Sequence, residues 1–105
     1  MDAGQLDQRI AIEQPVKSTD ALGQEVETFA TVAEPWAKVM ETPGREFLSG
    51  DYKAETKAVF TIRWRTLDST ARVAWGGRTY RIDDVTGTKR DGYAWLHCIA
   101  QDGAN

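Results

Sequence analysis

The single histidine and the single cysteine of the chain, His97 and Cys98, are adjacent in the sequence. Both residue types bind metals, but a zinc site needs several ligands that converge on one point. Neighbouring residues of a β-strand also point to opposite faces of the sheet. The pair therefore predicts a buried, unreactive thiol and a surface or interface histidine, and it gives no metal site.

Two adjacent carboxylates, Asp83 and Asp84, are the next candidates for chemistry. General acid–base catalysis needs both groups within reach of one substrate, whereas carboxylates at successive strand positions diverge. We expect solvation and ion pairing with Arg78 or Arg81 instead.

The remaining patterns offer no catalytic group. Gly76-Gly77 lies between two predicted strands, so it predicts a hairpin turn and not a phosphate-binding loop. No Gly-x-Ser-x-Gly nucleophile motif is present. The sequence therefore predicts a protein that is not an enzyme, with no catalytic residue, no metal site and no cofactor.

Composition indicates one domain over residues 1–105. No apolar run approaches the roughly 20 residues that span a bilayer, and the first residues lack the pattern of a signal peptide. One cysteine cannot form an internal disulfide, which fits a reducing cytoplasm.

Short segments with alternating apolar residues, separated by turn-forming residues, predict a mainly β fold. We expect a small antiparallel β-barrel or sandwich of six to seven strands, with one short helix in a long loop. The predicted strands cover residues 9–14, 25–31, 36–41, 58–65, 72–75, 79–85 and 93–100.

The first two predicted strands form a long hairpin or arm near residues 15–26. Pro15 should close the first strand, since proline cannot donate to a sheet ladder. Residues 17–24 then form a polar turn, and residues 101–105 form a frayed tail.

Residues 42–57 interrupt the strands. Thr42 suits a helix N-cap and Pro43 a first helical position. Leu48 and Tyr52 are four residues apart, which predicts one to two helical turns inside this longer loop.

Charge is distributed unevenly along the chain. Residues 1–60 carry 6 basic and 11 acidic side chains, whereas residues 61–90 carry 7 basic and 3 acidic ones. Such asymmetry steers identical copies head to tail if the two parts form separate faces, and it vanishes if they mix in space.

Six motifs, in order, resemble the head-tail joining (head-closure) proteins of tailed bacteriophages. They are Ala3-Gly-Gln-Leu-Asp-Gln-Arg-Ile10, Asp20-Ala-Leu-Gly23, Trp36-Ala-Lys-Val39, Gly44-Arg-Glu-Phe47, Phe60-Thr-Ile-Arg-Trp-Arg65 and Gly77-Arg-Thr-Tyr-Arg-Ile82. The resemblance covers about residues 3–100. In the last strand, Trp95 and His97 stand where this family often carries charge.

The resemblance implies a structural subunit of the virion, made in the bacterial host cytoplasm and located at the head-tail interface. Six or twelve copies would form a ring that closes the DNA-filled head and provides the docking platform for the tail. The implied partners are portal and adaptor proteins, tail proteins and further copies of the chain. Genomic double-stranded DNA would pass without sequence-specific contacts, and no membrane is involved.

Two groups of residues are candidates for this role. The first is a channel or gating loop with Thr42, Gly44, Arg45, Glu46, Phe47, Gly50, Asp51, Tyr52 and Lys53. The second is a set of subunit or partner contacts with Asp20, Leu22, Gly23, Glu25, Arg63, Arg65, Arg78 and Arg81.

Two other functions remain open. A tail terminator or tail completion subunit would also be a small ring-forming protein. A small nucleic-acid-binding β-barrel could use Arg63, Arg65, Arg78 and Arg81 to follow phosphates, although the chain is acidic overall, with pI ≈ 5.1.

Overall fold

A computed structural model describes residues 3–42 and 56–101. These residues form eight antiparallel strands in one sheet, with the order β1-β4-β5-β8-β7-β6-β2-β3. The strands are β1 (Gln8–Arg9), β2 (Ala11–Thr19), β3 (Glu25–Ala33), β4 (Trp36–Thr42), β5 (Lys57–Arg63), β6 (Arg72–Trp75), β7 (Arg78–Thr88) and β8 (Tyr93–Ala100).

The sheet is curled into a half-barrel, and the N-terminal segment links its two ends. β1 pairs with β4, and β2 pairs with β6, although only Ile10 separates β1 from β2. The Ile10 amide donates to the Pro35 carbonyl at 3.2 Å. Residues 8–13 therefore pair with β4 near one end of the strand order and with β6 near the other end.

The mainly β, antiparallel architecture is confirmed, but the predicted number of strands was too low. The eighth strand is β1, whose two residues pair with Trp36 and Ala37. Two residues are too short to produce an alternation in the sequence. The predicted helix near residues 42–57 falls almost wholly outside the described residues, whose only helical element is a 3-10 turn at Ala3–Gln5.

The prediction that Pro15 ends the first strand was wrong. β2 continues to Thr19, and Pro15 lies opposite Phe29 in β3. Beyond Glu13, β2 pairs with β3 alone within residues 3–42 and 56–101, so a proline without an N–H group is tolerated there. The polar turn shrinks accordingly to residues 20–24.

The core lies on the inner face of the curl. Phe60 meets Tyr80 edge to face, with ring centroids 5.1 Å apart, and meets Trp75 at 5.9 Å. Ile62 is buried, and Trp64 packs partly buried against the same cluster. The other buried members of this cluster are Ile10, Ile12, Ala37, Ala58, Ala71, Val73, Ala94, Leu96 and Cys98.

Candidate interaction surfaces

The first surface is a projecting hairpin. β6 pairs with β2 at residues 11–13, and beyond that point β2 and β3 pair with no other strand among the residues that the structure describes. We call residues 14–30 the arm. Its strands are held by their mutual hydrogen bonds, and most of its side chains are exposed.

A contact at the base fixes the arm to the rest of the sheet. The Arg72 guanidinium donates to Glu13 at 2.7 Å and lies 3.6 Å from the ring centre of Phe29. Arg72 belongs to β6, whereas Glu13 and Phe29 belong to the two strands that enter the arm. This partly buried ion pair and cation–π contact therefore set the arm's position relative to the body.

A turn of defined geometry closes the tip of the arm. One carboxylate oxygen of Asp20 accepts hydrogen bonds from the amides of Leu22 and Gln24, both at 2.9 Å. Gly23 has φ +83°, a conformation that glycine adopts without strain. The turn is ordered by its own residues, and Leu22 lies 83% exposed on it.

Seven large apolar side chains are exposed among the described residues. Four of them lie on the arm or β3, two lie on β4, and one lies on β7. They are Val16, Leu22, Phe29, Val32, Trp36, Met40 and Val85. More than half of them therefore lie on the arm or on the strand that leads from it, where contact with another molecule could cover them.

The second surface is a cleft where β4 begins and β5 ends. It has a volume of about 270 Å³ and is lined by Leu6, Pro35, Trp36, Arg63, Trp64 and Arg65, which we call the cleft residues. The Trp64 amide donates to the Gly92 carbonyl at 2.8 Å, which holds the end of β5 against the β7–β8 turn. The guanidinium of Arg9 lies 5.2 Å from the ring centre of Trp36.

Two cations line this cleft. Within residues 3–42 and 56–101, neither Arg63 nor Arg65 forms an ion pair, and both are exposed. Basic groups beside apolar tryptophan rings favour an acidic ligand that also carries an apolar residue.

A polar cluster lies at the other end of the sheet. The Tyr80 hydroxyl donates to Glu41 at 3.0 Å, and Arg78 lies 3.7 Å from the same carboxylate oxygen. Burial is the largest cause that raises the pKa of Tyr80, and the neighbouring Glu41 carboxylate raises it further. Glu41 is the last residue but one of β4, so this cluster stabilises the end of β4 that precedes residues 43–55.

Three of the candidates for chemistry, Asp83, His97 and Cys98, line one pocket of about 230 Å³, but each has a different environment. Cys98 is buried, and this burial, with a smaller effect of Asp83, raises the pKa of its thiol to about 12. His97 contacts the Thr86 hydroxyl at 2.9 Å on the opposite face. Asp83 pairs with Arg81 at 3.3 Å, as expected.

The predicted contact residues divide into three groups. Asp20, Leu22, Gly23 and Glu25 meet at the arm tip, and Arg63 and Arg65 meet at the cleft. Arg78 and Arg81 lie near the opposite end of the sheet. Arg81 pairs with Ile99, and Ile99 pairs with Lys57, which is the first residue of β5, whereas the cleft lies at the last residue of β5. The four arginines therefore form no single basic face.

The predicted loop residues lie outside the described part of the chain, apart from Thr42, which is exposed at the end of β4. Sequence reasoning missed Trp36, Trp64, Phe29 and Arg72 as contact residues. Trp36 and Phe29 were detectable as large apolar residues beside polar ones. The position of Arg72 depends on β2–β6 pairing and has no local signal.

Among the residues that the structure describes, no helix has the length and apolar character needed to cross a bilayer. Nor does that part of the chain bring three or more histidine, cysteine, aspartate or glutamate side chains together as a metal site.

Together these features define a small β protein whose distinctive surfaces are suited to protein contacts. The family model of the phage head completion protein matches residues 1–103, so the chain belongs to that family. It is a structural component of the phage head. No curated protein matches the chain.

Two solved structures have a similar fold. A protein from Shigella flexneri 2a, SF1141, superimposes with TM-score 0.69 at 19% identity, over 97% of this chain and 98% of that one. A chain from the virion of a native gene transfer agent particle has TM-score 0.57 at 24% identity, over 90% and 91% of the two chains. At these identities the similarity establishes the fold alone.

Proposed function

We propose that the chain is a subunit of the head-tail connector, in which copies form a ring that closes the DNA-filled head and provides a docking platform for the tail. The observation that carries this proposal is the arm with its exposed apolar residues. Leu22 is 83% exposed at the ordered tip, and contact between the arm and a second subunit would cover it. Family membership supplies the setting, since the chain is a phage head protein.

Ring assembly needs a contact between two different surfaces of each copy. The arm and the cleft are different surfaces, and both are exposed in the single chain. Portal or adaptor proteins on one side and tail proteins on the other would be the remaining partners. DNA would pass through the centre of the ring without sequence-specific contacts.

The experiment is deletion of the gene, followed by electron microscopy of the particles. We expect heads that package DNA and then lose it, and that carry no tails. Complementation with the wild-type gene should restore tailed, DNA-filled virions. DNA-filled heads with attached tails in the deletion strain would contradict the proposal, and filled heads without tails would favour a role in tail completion.

A gating role for residues 42–57 remains part of the proposal. The chain between Thr42 and Thr56 joins β4 to β5 at the end of the sheet where Glu41, Arg78 and Tyr80 cluster. Removing residues 44–53 should yield tailless heads that leak DNA. Tailless heads that still retained their DNA would rule the gate out.

A further inference from the structure

The arm tip combines an ordered backbone with a fully presented apolar side chain. Its turn is held by the two hydrogen bonds to the Asp20 carboxylate and by backbone hydrogen bonds between Asp20 and Gln24 at 2.9 Å and between Gly23 and Asp20 at 3.0 Å. A segment that is ordered before binding loses less conformational entropy on association. Leu22 is therefore placed as an anchor for a pocket elsewhere.

The charge of the tip is opposite to that of the cleft. Residues 17–27 contain one basic side chain, Lys17, and three acidic ones, Asp20, Glu25 and Glu27. Lys17 lies 3.9 Å from Glu25 with both side chains largely exposed, so this contact adds little. The cleft presents Arg63 and Arg65 beside apolar rings, which matches an acidic segment that carries a leucine.

The tip cannot reach the cleft of its own chain. β3 runs nine residues from the arm tip, through the base of the arm and on to Ala33, which is about 26 Å at roughly 3.3 Å per residue. Pro35 and Trp36 of the cleft follow just beyond Ala33. The paired strands keep the tip away from that base, so a tip that fills such a cleft must belong to another molecule.

We propose that Leu22 of one copy inserts between Trp36 and Trp64 of the next, while Glu25 and Glu27 face Arg63 and Arg65. The cleft volume of about 270 Å³ accommodates a leucine side chain together with part of its turn. Donor and acceptor surfaces differ, so each copy gives one tip and receives another, which propagates around a ring. This inference rests on the proposed function and names the contact that joins the ring.

Cysteine cross-linking tests the contact. The only native cysteine is buried, so it should not react. An Ala21→Cys chain carries a thiol beside Leu22, and a Thr66→Cys chain carries one beside Arg65, which leaves the anchor and both arginines intact. The two variants, one with a size tag, are mixed at high concentration and oxidised, and the same pair is tested in purified particles.

We expect a disulfide-linked heterodimer in the mixture. A Gln101→Cys chain is the matched control, because residue 101 follows β8 at its far end, about 26 Å along the strand from Tyr93 and the cleft. Its yield with Ala21→Cys should be at least tenfold lower. Equal yields with the two acceptors, or no cross-link in solution and in particles, would overturn the proposal.

Charge reversal tests the pairing itself. Leu22→Asp in the donor should abolish the cross-link, and so should Arg63→Glu with Arg65→Glu in the acceptor. Glu25→Arg with Glu27→Arg in the donor should restore the yield with the reversed acceptor. Circular dichroism and thermal melting of each variant verify that the fold is retained. If the doubly reversed pair did not regain its cross-link yield, the proposed pairing of Glu25 and Glu27 with Arg63 and Arg65 would be contradicted.

The outcomes distinguish this inference from the function on which it rests. If gene deletion gives leaking, tailless heads while no tip-to-cleft cross-link forms, the connector function stands and this contact falls. A salt-sensitive affinity for a single-stranded oligonucleotide that Trp64→Ala abolishes, without any cross-link, would assign the cleft to nucleic acid and overturn the proposal.

Discussion

The body of the sheet and the arm use apolar residues in opposite ways. In the body, Phe60, Tyr80 and Leu96 have no exposed surface and contact one another across strands. In the arm, Val16 and Phe29 remain 43% and 38% exposed, and none of the described arm residues belongs to the buried core. One chain thus contains a part that buries its apolar surface on folding and a part that leaves it for a later contact.

This difference indicates where stability resides. An isolated two-stranded hairpin is marginal in water, because it buries little apolar area. The arm is therefore ordered by two local devices: the Asp20 turn at its tip and the Arg72 contact at its base. Mutations in the body should change global unfolding, while mutations in the arm should change local opening.

The largest effect is expected from Phe60→Ala, which removes the ring at the centre of the core. We expect a loss of about 3–5 kcal/mol in the free energy of unfolding, because buried phenylalanine truncation leaves a cavity. Urea denaturation followed by tryptophan fluorescence measures it. Val16→Ala on the arm is the control, at about 0.5 kcal/mol or less. Similar costs at both positions would remove the distinction between body and arm.

A matched pair of glycine substitutions sharpens the comparison. Gly87 has φ +102°, and an added Cβ would lie 2.9 Å from the Trp95 ring atom Cε3. Gly23 has φ +83° with open space around it. Gly87→Ala should therefore cost about 3 kcal/mol through strain and steric overlap, and Gly23→Ala about 1 kcal/mol through strain alone. Thermal melting of the two variants measures the gap, and a larger cost at Gly23 would contradict it.

The base contact of the arm gives an effect of intermediate size. Arg72→Met should destabilise the arm by about 1–2 kcal/mol, because the Glu13 carboxylate loses its charged donor and Phe29 its cation. Amide hydrogen exchange should become faster in β3 while β5 and β8 keep their protection. Lys17→Met serves as the control, since the exposed Lys17–Glu25 pair contributes little. Uniformly faster exchange in all strands would show that the arm does not open separately.

The ionisation of the Cys98 thiol should have the smallest effect on the free energy of unfolding at neutral pH. The pKa of its thiol is raised from 9.0 to about 12, so the unfolded chain releases this proton at lower pH than the folded chain. The resulting stability is complete below pH 9 and is lost progressively between pH 9 and pH 12. Cys98→Ala should flatten this decline in urea titrations at pH 8 to pH 11. A residual slope remains from Tyr80, whose pKa is also raised. An unchanged slope would contradict the burial of the thiol.

The regular strands of the body were predictable from the sequence. The alternation of Leu96 and Cys98 with His97 is a local consequence of strand geometry. In β5, Phe60 and Ile62 are buried as their pattern indicates, but Thr61 between them is buried as well, which the alternation did not predict. Gly76-Gly77 likewise forms the expected turn, with φ +61° and +79°. The alternation of apolar residues and the turn-forming residues act over a few neighbouring positions, so a short segment of sequence is enough to predict these strands and turns.

The first strand and the arm were harder to predict. A proline usually ends a strand, yet Pro15 lies inside β2 because the arm leaves one side of that strand without a neighbour. β1 has two residues and exists because the curl brings Gln8 and Arg9 beside β4. Neither fact has a local signature.

The sequence by itself determined the mainly β architecture, the buried thiol, the arm tip with its Asp20 turn, and the absence of a recognisable catalytic motif. The tertiary structure decided how far the arm projects, that Arg72 holds its base, and that Trp36 and Trp64 line one cleft with Arg63 and Arg65. These features depend on which strands pair across long sequence separations, and the curl and register of the whole sheet determine that pairing.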